Sequence, residues 1–227
     1  MMTNGRDDLL YDEKTEEAGI QLELMCKGKD ICMETYKSYR IYFCNEYTGK
    51  LNKFGGLPTH LPPEWPKGQN GEDKLAFLCQ LYCDMERLVI ENTLCIQLYQ
   101  WVDGNGDEGS DPIIVTIPFG AKETLQGEGR SHPDLQEGDI AFEEVFEDVL
   151  EEDDHITLVD RNGLYLWSNK LKGWFHEDNS TPDNFLGLIR DGDGHAPIKG
   201  SSPFNWGCGY NLVFYLNEKG NVVWDFY

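Results

Sequence analysis

The side chains that could act as nucleophiles or general bases are scattered, and none stands in a recognisable catalytic motif. The chain has seven cysteines and five histidines; the histidines are His60, His132, His155, His176 and His195. It contains no Gly-x-Ser-x-Gly turn of the kind that exposes a nucleophilic serine. Cys79 lies in an apolar run, whereas a reactive thiol needs positive charge nearby to lower its pKa. These features favour a binding protein over an enzyme and give no catalytic residue.

The cysteine spacing does not fit a structural zinc site. Cys79 and Cys83 are separated by three residues, and Cys26 and Cys32 by five. Neither pair has the two-residue spacing of a zinc knuckle. An odd number of cysteines scattered through apolar stretches also argues against a secreted disulfide framework. We therefore interpret most of them as small buried side chains.

One acidic loop offers oxygen ligands for a hard cation. Asp103, Asn105 and Asp107 alternate with glycine and glutamate, as candidate ligands for Ca²⁺ would. The sixth and twelfth positions of an EF-hand loop would fall on Glu108 and Ile114, which are the wrong residues. Aspartate and glycine are also ordinary turn residues between strands. We expect no cofactor, with Ca²⁺ at this loop as the alternative.

The charge of the chain is strongly acidic. Forty-one acidic residues face 19 basic ones, which gives a net charge of -22 over 227 residues. Such a surface repels nucleic-acid phosphates and anionic membranes, since both require a basic footprint. The charge favours a basic protein partner, or serves solubility alone.

The densest acidic segment is predicted to be an amphipathic helix over 142–154. Its apolar residues follow the i, i+3, i+4, i+7 spacing of a helix, and its other face carries only carboxylates. Same-sign charge along one face is unfavourable, which raises the interest of a docking role. The candidate partner-binding residues are Glu143, Glu144, Glu147, Asp148, Glu151, Glu152, Asp153 and Asp154.

Most other regular elements are predicted to be strands. Residues 1–20 resemble a loose lead-in, 120–141 and 174–193 look irregular, and 156–167 holds short strands. Alternating or β-branched runs predict strands at 20–25, 39–44, 74–82, 93–101, 113–117, 211–216 and 221–227. We thus expect an α+β fold, mainly antiparallel sheet with few helices, as a single domain over residues 1–227.

A long loop rich in proline and glycine, from 48 to 73, is a candidate pocket cover. Its density of proline and glycine excludes a regular helix or a central strand. Long loops in compact domains are either packed down by their own side chains or functional. If a pocket lies beneath residues 54–66, its lining candidates are His60, Glu64, Trp65 and Gln80.

Two segments of the chain resemble each other. The first segment contains Phe54-Gly-Gly-Leu-Pro, Trp65 and the strand from Leu75. The second contains the similar series Ile198-Lys-Gly, Pro203, Trp206 and the strand from Asn211. A duplicated loop-and-strand unit would give two pseudo-symmetric halves, with 50–117 and 195–227 as their cores.

The first of these segments also resembles a known family. Phe54-Gly-Gly-Leu-Pro, Leu61-Pro-Pro-Glu-Trp-Pro66 and Leu75-Ala-Phe-Leu-Cys-Gln80 are similar to the signature of the YwqG-like family, a bacterial domain family of unknown function. The resemblance covers 50–117 and, more weakly, 195–227. It implies a fold with an internal repeat and carries no activity.

The preferred function is a non-enzymatic, acidic protein-interaction module. One form of it would be an immunity or antitoxin-type protein that neutralises a basic partner, because complementary charge speeds the encounter. The alternative is a small-ligand-binding or enzymatic domain with its pocket under 54–66. The N-terminus has neither the basic start nor the apolar run of a signal peptide, so we expect a cytoplasmic protein.

Overall fold

A computed structural model describes the backbone of most of the chain, and all the regular secondary structure of the described residues is β-strand. Described residues are 32–68, 75–102, 112–125, 127–152, 155–158, 166–167, 185–190, 192, 202–204, 206 and 211–226. The strands are β1 Cys32–Cys44, β2 Lys53–Phe54, β3 Ala76–Tyr82, β4 Thr93–Gln100, β5 Ile113–Pro118, β6 Gly138–Glu152, β7 His155–Leu158, β8 Leu166–Trp167, β9 Phe185–Arg190, β10 Asn211–Leu216 and β11 Val222–Phe226.

Antiparallel pairing joins these strands into one continuous path. The order is β11-β10-β9-β8-β1-β6-β2-β3-β4-β5, and β7 pairs with β6 off this path. The long strands β1 and β6 form the middle of the path and pair from Cys32 opposite Glu151 to Cys44 opposite Asp139. The two end strands of the path, β5 and β11, lie close to each other.

The core follows from the strand period of two. Tyr39, Ile41 and Phe43 of β1 are buried in it, whereas the alternate residues Arg40 and Tyr42 are only partly covered. Strand β3 is buried on both faces, which explains its nearly continuous apolar sequence. Phe43 packs edge-to-face against the nearby Phe54 and the distant Phe204, with centroid distances of 5.6 and 5.4 Å.

The predicted helix over 142–154 is wrong, and with it the α+β class. Residues 142–152 belong to β6, and 142–151 are paired residue by residue with β1, so the regular structure of the described residues is all β. Phenylalanine and valine favour strands at least as well as helices. Pairing with a long partner strand therefore overrides a helical spacing that rests on only five apolar residues.

The other predicted elements agree more closely. The strands predicted at 93–101, 113–117, 211–216 and 221–227 are confirmed within one residue at each end. The strand predicted at 74–82 is confirmed as Ala76–Tyr82. Strand β1 is longer than the predicted 39–44, and β9 falls inside a stretch predicted to be irregular. The strand predicted at 20–25 lies outside the described residues.

The strand order is similar on the two sides of the central pair. Beyond β6 come a two-residue strand, β2, and the meander β3-β4-β5; beyond β1 come the two-residue β8 and the meander β9-β10-β11. Each short strand pairs with the long strand that it does not follow in the chain: β2 pairs with β6, and β8 pairs with β1. By position β3 therefore corresponds to β9 and β4 to β10. The sequence similarity instead matched β3 with β10. It therefore differs by one strand from the correspondence that the strand order gives.

A separate property concerns the membrane. Within the described ranges, no helix is long and apolar enough to cross a bilayer.

Candidate functional site

The loop from 54 to 66 is fastened to the sheet by a buried glutamine. Gln80 of β3 is completely buried, and its Oε1 accepts a hydrogen bond from the Thr59 amide at 2.8 Å. Its Nε2 lies 2.6 Å from both the Leu51 carbonyl and the Thr59 hydroxyl. Gln80, a candidate pocket residue, is thus engaged in holding the loop.

His60 belongs to the same polar network. Its Nδ1 lies 2.7 Å from the Tyr82 hydroxyl, and its carbonyl accepts a hydrogen bond from Gln97 at 2.8 Å. Gln97, which is also completely buried, accepts a hydrogen bond from the Tyr99 hydroxyl at 2.6 Å. A second part of the loop is therefore tied to β4.

Trp65 and Glu64, the other two candidates, lie apart from this network. The Trp65 indole donates to the Leu75 carbonyl at 2.9 Å and packs edge-to-face on Tyr99 with a centroid distance of 5.2 Å. Glu64 points to solvent, with 84% of its side chain exposed. The structure therefore brings His60 and Gln80 together through Thr59, uses Trp65 as an anchor, and leaves Glu64 outside.

A charged cluster surrounds the start of β6. Asp139 is buried and accepts hydrogen bonds from the Thr48 amide at 3.2 Å and the Thr48 hydroxyl at 2.5 Å. Burial raises the Asp139 pKa, but these hydrogen bonds and the Lys50 ammonium outweigh it and lower the pKa below its usual value. Nearby, the buried ammonium of Lys53 is paired with Glu137. Every charge in this cluster thus has a structural partner.

Three of the described cysteines, Cys79, Cys83 and Cys95, have environments that do not favour a nucleophile. Burial raises the pKa of Cys79 well above its usual value, and it raises the pKa of Cys83 and Cys95 to about 12 each. A thiol held protonated at neutral pH is a poor nucleophile. The chemistry of these three residues is that of packed side chains.

The candidate calcium ligands cannot be placed. Asp103, Asn105 and Asp107 lie outside the described residues. Elsewhere, the described part of the chain brings together no group of three or more His, Cys, Asp or Glu side chains that could hold a metal ion.

The carboxylates of the acidic segment are distributed over two faces of a strand and not along one face of a helix. Adjacent residues of a strand point to opposite faces, so the carboxylates of β6 cannot form the single helical face expected. Glu143 and Glu144 are both exposed; Glu143 accepts a hydrogen bond from Tyr42. Glu147, Asp148 and Glu151 lie opposite Tyr36, Thr35 and Cys32 on β1, Glu152 pairs with His155 on β7, and Asp153 and Asp154 are outside the described residues.

A solvent-open cavity lies beside β1 and β6. Its volume is about 450 Å³, and we call it the β1–β6 notch. It is lined by Tyr39 of β1, Phe142 and Glu144 of β6, and the turn 84–87 that follows β3. The Tyr39 hydroxyl donates to Glu86 at 3.0 Å, which joins the turn to the strand. Aromatic rings and carboxylates thus meet in one concave site.

The turn 84–87 is internally ordered by Asp84. The carboxylate of Asp84 accepts hydrogen bonds from the amides of Glu86 at 2.9 Å and Arg87 at 2.6 Å, and it also pairs with the Arg87 guanidinium. Burial raises the Asp84 pKa, but these hydrogen bonds and the guanidinium outweigh it, so the pKa is lowered from its usual value. The Arg87 guanidinium also lies 4.4 Å from the centre of the Phe142 ring.

Sequence reasoning missed this turn as part of a site. Its signal is Asp84-Met-Glu-Arg87, a short charged interruption between apolar strands that contains one apolar residue. Met85 is 91% exposed, which is unusual for a methionine in a domain with a well-filled core.

Comparison of the sequence with models of known protein families and with curated proteins finds no match.

Proposed function

We propose that the protein is a non-enzymatic, acidic interaction module that binds a basic protein partner through the β1–β6 notch and the exposed carboxylates beside it. The observation that carries the proposal is the meeting of Glu86 and Glu144 with the exposed Met85 in one concavity. Interfaces combine apolar contact area with charge in this way.

The overall charge supports the same function. A net charge of -22 attracts basic partners over a distance set by the ionic strength and accelerates their encounter. An immunity or antitoxin-type protein that neutralises a basic toxin is one member of this class. Its action in the cytoplasm, and membership of the YwqG-like family, are part of the proposal.

The residues considered for the alternative pocket support it less. Gln80, His60 and Trp65 each hold the loop 54–66 on the sheet through the hydrogen bonds described above. A polar group that already fastens a loop contributes less to recognising a ligand, because binding would require a hydrogen bond of the fold to break.

Parallel affinity capture from an extract of the source organism tests the proposal. The baits are wild type, the notch variant Glu86→Gln/Glu144→Gln, and the control Glu64→Gln/Glu218→Gln, which removes the same charge at exposed sites elsewhere. We expect wild type and control to retain a basic protein that salt releases, and the notch variant to lose it. Equal recovery by all three baits, or no basic protein on any, would overturn the proposal.

A further inference from the structure

We propose that the protein forms a two-fold symmetric dimer through an apolar surface on the loops that precede β2 and follow β5. We call this surface the loop face; its exposed apolar side chains are Tyr47, Leu51, Phe119 and Leu125. The inference goes beyond the proposed function and does not depend on it, because the loop face and the β1–β6 notch share no residue.

The loop face holds half of the exposed large apolar side chains of the described residues. Eight such side chains are exposed, and four of them belong to residues 47–51 and 119–125. Phe119 is 69% exposed and Leu125 is 59% exposed. A single exposed apolar residue is ordinary, whereas several on one surface are typical of an interaction site.

Hydrogen bonds hold the two loops of this face side by side. The Thr124 amide donates to the Thr59 carbonyl at 3.0 Å. The buried amide of Gln80 in turn joins the Thr59 hydroxyl to the Leu51 carbonyl. A short chain of hydrogen bonds therefore leads from Leu51 to the residue before Leu125, so the exposed side chains of the two loops lie on neighbouring parts of the surface.

The most exposed of these side chains is presented by an ordered turn. The Ala121 amide donates to the Pro118 carbonyl at 3.3 Å, and Gly120 has the positive φ, +80°, that the third position of a type II turn requires. Phe119 takes the second position of this turn. An apolar side chain on an ordered turn loses less conformational entropy on binding than one on a mobile segment.

The charges of the loop face are balanced, unlike those of the chain as a whole. Segments 45–61 and 118–128 contain three basic and three acidic residues, so the net charge of -22 arises outside them. Lys122 pairs with Glu128 at 2.9 Å, and Lys50 lies 3.8 Å from Asp139. Two copies of this acidic protein therefore repel each other less through the loop face than through a surface of average charge.

A second copy is the occupant that this charge pattern fits. In a two-fold symmetric dimer the same surface meets itself, so lysines and carboxylates of one rim can pair with those of the other. The side chains of Lys50 and Lys122 are 59% and 61% exposed, which leaves them able to reach a carboxylate across the interface. A basic protein is attracted more strongly by the acidic surfaces elsewhere, and a nucleic acid requires a basic footprint.

Analytical ultracentrifugation of the full chain tests the inference. We expect a dimer whose dissociation constant falls when NaCl is raised from about 50 to about 500 mM, because salt screens the repulsion between two acidic copies. Phe119→Ser and Leu125→Ser, made separately, should each weaken dimerisation about tenfold or more, since both copies lose an apolar contact. Phe146→Ser is the matched control, because Phe146 is 67% exposed on β6, outside the loop face, and its replacement should leave the dimer unchanged.

A protein that stays monomeric at both salt concentrations, even at near-millimolar concentration, would overturn the inference. So would a dimer that dissociates as salt is raised, or equal weakening by Phe119→Ser and Phe146→Ser. A monomer that still captures a basic protein would refute the dimer alone, and a dimer without such capture would refute the proposed function alone. Circular dichroism identifies which of the two loop-face variants are folded.

Discussion

Gln80 and Gln97 lie opposite each other on β3 and β4, and both side chains are completely buried. Buried amides are tolerated only when their hydrogen bonds are satisfied. Both glutamines meet this requirement through the loop above them, since Gln80 bonds to Leu51 and Thr59, and Gln97 bonds to His60. The polar residues of β3 and β4 thus explain why the proline-rich loop stays in place.

Replacing Gln80 with leucine should therefore destabilise the fold, because the substitution removes the hydrogen bonds of the Gln80 amide as well as changing the shape of the side chain. Gln80→Leu leaves the Thr59 amide and the Leu51 carbonyl without this partner, and we expect a loss of about 2 to 4 kcal/mol in the free energy of unfolding. Urea denaturation measures it. The exposed Gln136→Leu is the control and should change stability little; equal effects would contradict the structural role.

The first glycine of the Gly-Gly turn is needed for two reasons. Gly55 has a φ of +64°, and a Cβ placed there would lie 2.5 Å from the Gln136 carbonyl oxygen. Gly120 has a similar φ of +80° but nothing within 4 Å of such a Cβ. Comparing substitutions at Gly55 and Gly120 therefore separates the effect of a positive φ from the effect of a steric clash.

We expect Gly55→Ala to be clearly more destabilising than Gly120→Ala. Both substitutions place an L side chain at positive φ, which costs about 1 to 2 kcal/mol. Only Gly55→Ala adds a steric clash with backbone, so the difference between the two variants should exceed about 1 kcal/mol by urea denaturation. Variants of equal stability would show that the loop can move away from Gln136.

The buried carboxylate of Asp139 should make stability depend on pH. Its folded pKa is lowered, so its contribution is present above the unfolded pKa of about 3.9 and is lost as the pH falls through the folded value. The stability difference between wild type and Asp139→Asn should therefore narrow on acidification below about pH 4. A stability difference for Asp139→Asn that stays constant on acidification would refute the lowered pKa of Asp139.

At the scale of the element, β6 decides the fold class. Ile140 donates its amide to the Asn52 carbonyl at 2.8 Å, away from β1, so the adjacent Ala141 amide points toward β1 in the alternating ladder. Ala141 lies opposite Tyr42, two residues from the Cys44–Asp139 end of the central pair. A residue in this position can be used to test the strand.

Proline at this position should damage the sheet. Ala141→Pro removes an amide from the β1–β6 ladder, and we expect it to lower the free energy of unfolding by about 2 kcal/mol or more. Glu218→Pro is the matched control, because Gly220 donates to the Asn217 carbonyl and residue 218 then takes the second turn position that proline favours. Thermal unfolding compares them; a harmless Ala141→Pro would contradict the pairing.

The sequence predicted the elements whose pattern is local and missed those set by distant partners. The alternation in β4, β10 and β11 is visible in their own residues, as is the Asn217–Gly220 turn. The spacing of Phe142, Val145 and Phe146 fits a helix, and only the register with β1 shows that it is a strand.

The candidate site depended even more on distant contacts. The notch is lined by residues of β1, β6 and the 84–87 turn, which are far apart in the chain. No local sequence motif could therefore predict this site. Trp65 and Trp206 make the same kind of contact: each indole donates to a backbone carbonyl, that of Leu75 beside β3 and that of Ile189 in β9. Their places in the chain order differ, which explains the displaced alignment.

At the scale of the whole molecule, the described strands pack around a main apolar cluster and a smaller second one made of Leu75, Phe77 and Tyr99. The charged groups near the core are neutralised locally, as Lys53 is by Glu137 and Arg87 by Asp84. In the proposed function, the net charge of -22 attracts a basic partner from a distance, and the notch would supply the specific contact.

The most direct test is calorimetric titration of the purified protein with the basic partner recovered by capture, at about 50 and about 300 mM salt. The higher salt concentration shortens the distance over which charges attract each other. We predict that Kd weakens about tenfold or more between these salt concentrations, and that Glu86→Gln/Glu144→Gln weakens it further while Glu64→Gln/Glu218→Gln does not. A Kd that is unchanged by salt and by the notch variant would contradict the account.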